Sequence, residues 1–178
     1  METMTTSIIL PFLVFFPFLG AVISYIIGRS NKGARDIWCW ILSAVIFIAS
    51  LTLIGKETVY SLRGFCGLGL SFAADGFGVI LAVLTGAIWL ITTIFSKEYM
   101  AAERNRNRYY FFVFLTLGAT MGIFLSADLF TTFIFFEIMS FTSFVLVMHD
   151  EEDFTVRSAK TYLAVAVIGG LVTLMCLF

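Results

Sequence analysis

Six apolar stretches divide this chain and constrain its fold more than any other feature: Ser7 to Gly28, Ile37 to Ile54, Phe77 to Phe95, Tyr110 to Ser126, Leu129 to Val147 and Val156 to Phe178. Each holds roughly 17 to 23 residues, and a helix rising about 1.5 Å per residue needs about 20 to cross a hydrocarbon core. Backbone amides and carbonyls find no water partner in lipid, so these segments are expected to be helices. The chain is 60% hydrophobic and 13% charged, with a mean hydropathy of +1.01, which excludes a water-soluble domain. The expected fold class is an all-α integral membrane protein of about six transmembrane helices.

No Lys or Arg precedes the first apolar run, so it reads as a retained helix and not as a signal peptide. Pro11 and Pro17 fall inside it, where each removes a backbone donor and can kink the helix. Basic residues fall unevenly between the segments. Arg29, Lys32 and Arg35 follow the first helix, Lys97, Arg104, Arg106 and Arg108 the third, and Arg157 and Lys160 the fifth; only Lys56 and Arg63 lie on the other side. The positive-inside rule therefore puts the N-terminus outside the cytoplasm. Trp38, Trp40, Tyr99, Tyr109 and Tyr110 fall near helix ends, as expected of rings that favour the headgroup region. The near-balance of 11 basic and 12 acidic residues gives no field to recruit nucleic acid.

The outer segment from Gly55 to Ala74 contains GFCGLGLS, whose glycines predict an irregular connection. Asp75 then precedes the third helix, where a carboxylate can cap free amides or serve transport. Gly118, Gly122 and Ser126 recur at intervals of four and predict a helix-packing stripe. Cys39, Cys66 and Cys176 form no CxxC pair, and there is one histidine, so neither a disulfide framework nor a metal site is indicated.

Glu137 lies in the middle of LFTTFIFFEIMSFTSFVLV. A charge near the bilayer midplane costs at least about 2.5 kcal/mol, so such groups face a protein interior or water and mark ion or proton paths. Ser140, one turn on, can hydrogen-bond to a water beside the carboxylate or to its own helix backbone. Phe133, Ile134, Phe141 and Phe144 surround that face and either exclude water or simply pack. His149 closes the fifth helix before the acidic run Asp150, Glu151, Glu152 and Asp153, which reads as a proton antenna or as a solvated loop. The fourth and fifth helices are expected to form the functional core, with the first two at its periphery.

The segments GLGLSFAADGFGVILAVL, SKEYM and IFLSADLFTTFIFFEIMSFTSFVLV, spanning about Gly67 to Lys160, resemble the proton-conducting antiporter-like subunits of respiratory complex I, membrane hydrogenases and multisubunit cation/proton antiporters. The resemblance implies leading helices followed by two inverted five-helix repeats. Residues 1–109 would supply three leading helices and residues 110–178 the start of the first repeat. It also implies that Glu137 pairs with a lysine beyond Phe178 and that Lys160 matches a basic residue at the start of the sixth helix, where it serves the proton path or snorkels. Some relatives carry an acidic residue in the sixth helix; here the stretch is AVAVIGGLV. The ending inside LVTLMCLF predicts a longer polypeptide or a second chain completing the bundle.

No haem ligand pair, Fe–S cysteine set or nucleotide loop is present, so no cofactor and no catalytic centre are expected in this chain. The implied function is H⁺ translocation, or Na⁺ translocation, among other membrane subunits in a prokaryotic inner membrane. The alternative is a structural subunit in which Glu137 is locked in a static ion pair. Cysteines placed at Asn105 to Arg108, in a background lacking the native thiols, test the orientation. They should be silent to an impermeant thiol reagent in intact cells, and labelling there would reverse the assignment.

Overall fold

The computed structural model describes residues 5–6, 8–62, 69–101, 105–149 and 153–177. Expectations placed on Arg63, Cys66, Arg104, Asp150, Glu151, Glu152 and Phe178 concern positions outside the described residues. Among the described residues the chain forms six helices: α1 (Ile9–Ser30), α2 (Lys32–Leu51), α3 (Gly76–Tyr99), α4 (Arg106–Phe124), α5 (Leu129–Val147) and α6 (Asp153–Leu177). All except α4 are long and apolar enough to cross a membrane. A small sheet of β1 (Thr5–Thr6), β2 (Thr58–Leu62) and β3 (Leu70–Ala74) accompanies them.

Helix starts follow local chemistry. Asn31 accepts from the Gly33 and Ala34 amides at 2.9 and 3.2 Å, Asp75 from Gly78 at 2.8 Å, and Asp128 from Thr131 at 2.7 Å. Each cap satisfies amides that the first helical turn leaves unpaired. The Asn31 cap starts α2 at Lys32, so Arg35 and Asp36 lie inside a helix and not in a loop. Pro11 sits in the first turn of α1, where its missing donor costs nothing, whereas Pro17 is buried mid-helix.

The connection from Gly55 to Ala74 is not irregular throughout. β2 and β3 pair antiparallel with Thr58 opposite Ala74 and Leu62 opposite Leu70, and β1 runs parallel to β2. Alternation in LSFAA explains the strand: Leu70, Phe72 and Ala74 are buried while Ser71 and Ala73 are less so. β3 also binds the α4–α5 turn. The Ala73 amide donates to Leu125 O, and the Ala127 amide to Ser71 O, both at 2.8 Å, and the Ser71 amide donates to Thr131 Oγ1 at 3.0 Å.

α4 is the central helix. Its residues from Thr116 to Gly122 are all buried, so neighbours and not lipid surround it. This is why it tolerates lower hydropathy than the others and begins with Arg106, Asn107 and Arg108. The expectation that α1 is peripheral is overturned. α1 packs along α4, burying Leu10, Leu13 and Val14, and a Cβ at Gly118 would meet the Phe18 ring at 2.6 Å and Val14 O at 2.9 Å. Hydropathy marks a span but cannot say whether protein or lipid covers it. Gly122 plays the same part toward α5, with the Phe135 ring seated over it. Ser126 departs from the expected stripe: α4 ends at Phe124, and Ser126 lies in the turn, bridged to Phe72, with its hydroxyl 2.6 Å from Thr132 Oγ1.

Candidate functional site

Asp128 starts α5 and Phe135 fixes its rotation by packing into the cleft over Gly122, against Phe72 and Phe15 with ring centroids 5.8 and 6.3 Å away. A hydroxyl bond from Thr116 to Thr142, 2.9 Å long, adds a second tie between α4 and α5. That rotation turns Glu137 toward α6. The carboxyl group lies flush on Gly170, where any Cβ would overlap it: a Cβ there would lie 2.7 Å from Cδ and 2.9 Å from Oε2, and nearer still to Oε1. Glu137 Oε1 is buried and has no hydrogen-bond donor among the described residues. A buried acceptor left unpaired carries a desolvation cost of roughly 1–3 kcal/mol, more if charged.

Among the described residues, none of the remaining sequence candidates hydrogen-bonds to the buried Glu137 Oε1. Ser140 is buried and donates to Phe136 O at 3.0 Å, so its hydroxyl is occupied by its own helix. His149 follows α5, twelve residues and about 18 Å along the axis from Glu137; its ring meets Tyr109 edge-on with centroids 5.8 Å apart. Its Nε2 is buried without a partner among the described residues, while Arg108 donates to its carbonyl at 2.9 Å. Lys160 is exposed on α6. It precedes Gly170 by ten residues, which puts it about 15 Å along the helix from the level of Glu137 and on another face. The structure therefore does not bring Lys160 to Glu137. Of the surrounding aromatics, Phe141 is 52% exposed and points outward. Gly118 and Gly122 sit at helix contacts, and Ser126 in the turn. Among the described residues no three His, Cys, Asp or Glu side chains gather to hold a metal ion.

A second polar cluster was missed by sequence reading. Arg35 is fully buried, donating to Asp36 Oδ1 at 2.7 Å through Nη2 and at 3.1 Å through Nε. Its Nη1 donates to Asn107 Oδ1, and its guanidinium lies 4.7 Å from the centre of the Tyr110 ring. Arg106 donates to the other Asp36 oxygen at 3.3 Å and to Lys97 O at 3.2 Å. Asp36 thus joins α2 to α4, and Arg106 ties the pair to α3. Gly28 lets α1 close on the cluster, since a Cβ there would meet Asn107 Cγ at 2.8 Å and Arg35 Cδ at 2.9 Å. The available signal was the RD pair directly before an apolar run, in ARDIWCW.

No protein-family model matches the chain. It is 30% identical over 168 residues to the Na⁺/H⁺ antiporter subunit A1 of Staphylococcus aureus, a match covering 89% of this chain and 21% of that subunit. The chain therefore spans about a fifth of the length of that relative. Solved structures share its fold, among them chains of two membrane complexes. One is a chain of the membrane-bound sulfane sulfur reductase, an archaeal respiratory membrane complex, with a TM-score of 0.82 at 15% identity over 92% of this chain and 35% of that one. The other belongs to the Mrp complex of Dietzia sp. DQ12-45-1b, with a TM-score of 0.80 at 23% identity over 93% of this chain and 18% of that one. The chain is homologous to the antiporter subunit and carries the fold of antiporter-like membrane subunits.

Removing one partner from a buried ion pair strands the other charge and costs about 3–5 kcal/mol. Asp36→Ala should therefore lower stability by that amount and sharply reduce the thermal midpoint of the purified protein in detergent, while Arg29→Ala, at an exposed position, should leave it unchanged. Equal midpoints for the two variants would show that the cluster is not holding the helices together.

Proposed function

We propose that this chain is a cation-translocating part of a multisubunit membrane complex, moving H⁺, or Na⁺ in its place, with Glu137 in the ion path. The homologue's identity as a Na⁺/H⁺ antiporter subunit supports the class of reaction. The observation that carries the residue assignment is the buried Glu137 Oε1 at the α5–α6 contact, which has no hydrogen-bond partner among the described residues. An oxygen in that position gains a partner by accepting a proton, a cation or a water, and desolvation makes the gain large. A carboxyl group can bind a proton or pair with a cation, and the two compete for the same oxygens. A basic side chain that comes and goes would make the carboxyl group take up and release a proton in turn.

In this reading residues 1–109 are the leading helices and residues 110–178 begin the first antiporter-like repeat. The N-terminus lies outside the cytoplasm of a prokaryotic inner membrane. His149 and Lys160, both at the end rich in basic residues, would serve proton entry there. Ser140 would contribute through a water, although its bond to Phe136 O competes with that role. The second reading, a structural subunit with a static Glu137, is favoured by the tight seat of the carboxyl group on Gly170. The two readings differ in whether the carboxyl group must exchange a proton.

Glutamine keeps the size and reach of glutamate but cannot take up or release a proton. Glu137→Gln in the chromosomal copy should leave assembly on a native gel nearly intact while reducing cation-coupled proton uptake by inside-out vesicles to background. Glu137→Asp should fall between Gln and wild type, because it stays ionisable but its shorter reach weakens coupling to a cation. Wild-type uptake by the Gln variant would establish the structural reading.

A further inference from the structure

We propose that Gly170 is a positioning residue for Glu137, its missing side chain forming the seat that holds the carboxyl group inside the α5–α6 contact; the proposal rests on the ion-path reading of Glu137. Gly170 is one of two buried residues on α6, the other being Ala159. The two are eleven residues apart, close to three helical turns, so they mark the line along which α6 meets α5. On that line Glu137 is the side chain that meets the Gly170 backbone: a Cβ at Gly170 would overlap Oε1, Cδ and Oε2 together. Its neighbour Gly169 has nothing within 4 Å of the corresponding point. Of the glycine pair, only Gly170 is required by space.

The consequence is a size relation between two residues on two helices. An alanine at 170 leaves no room for the glutamate carboxyl group in its present place. The carboxyl group must then swing out of the contact or the helices must part. A glutamate shortened by one methylene draws its carboxyl group back toward α5 and vacates the space that the new methyl group needs. Helix propensity does not enter, because Ala is a better helix former than Gly at either position.

The test uses the same vesicle assay, with uptake normalised to the assembled protein on a native gel. Displacing a reacting group by about 1 Å can cost up to about a hundredfold, so Gly170→Ala should reduce coupled uptake at least about tenfold while Gly169→Ala retains it. Glu137→Asp combined with Gly170→Ala should exceed Gly170→Ala alone several-fold, a rescue that a general packing defect would not give. Three results would overturn the proposal: Gly170→Ala behaving as Gly169→Ala does, a double variant no better than Gly170→Ala alone, or a Gly170→Ala assembly failure that Asp does not restore. If Glu137→Gln is inactive in the same vesicles, any of these removes the role of Gly170 and leaves that of Glu137 standing. If Glu137→Gln is fully active, the ion-path reading itself has failed.

Discussion

The close approach of α1 and α5 to α4 is the contact on which the rest of the bundle depends. In lipid, apolar surface gains little by leaving one apolar neighbour for another, so helices associate through tight packing and polar contacts. Gly118 and Gly122 remove the side chains that would hold α1 and α5 off, and Phe18 and Phe135 fill the space. The rotation of α5 fixed by Phe135 directs Glu137 away from α4 and toward α6. Gly170 receives it there. A packing solution on one face of α5 thus decides what the opposite face presents.

The two ends of the bundle are secured differently. At the sheet end, β3 lends backbone groups to the α4–α5 turn, so the turn that starts α5 is held by hydrogen bonds from a separate element. At the basic end, Asp36 is shared by two guanidinium groups from α2 and α4, with Asn107, the Tyr110 ring and Lys97 O as further partners. Interhelical indole bonds add to this: Trp38 donates to Gly20 O, Trp40 to Thr93 O and Trp89 to Val113 O. These bonds tie α1, α2, α3 and α4 into one frame beside which α5 and α6 are placed.

Much of this was legible in the sequence where the signal is local. Long apolar runs, the cap at Asp75, and a carboxylate alone in an apolar helix all follow from residues within a turn or two of one another. What escaped depends on partners far along the chain. Arg35 reads as a loop charge until Asn107, 72 positions away, meets it. The β2–β3 pairing looks like a glycine-rich connection until the Leu125 and Ala127 backbone groups are seen to complete its edge. Gly170 reads only as a residue unable to carry charge, and its contact with Glu137 appears when α5 and α6 are laid together. The same distance limit applies to Lys160: its resemblance to a family position gave it a role, whereas its place on α6 keeps it well away from the carboxyl group.

With Glu137 in the proposed ion path, its carboxyl group changes protonation as the ion moves. Infrared difference spectroscopy of membranes holding the working assembly, recorded between high and low external cation, reads this directly from the carboxyl stretching region. The proposed ion path predicts a protonated-carboxyl band that appears and disappears with the gradient and is missing in the Glu137→Gln variant. A band unaffected by the gradient, or one that persists in the variant, would contradict it.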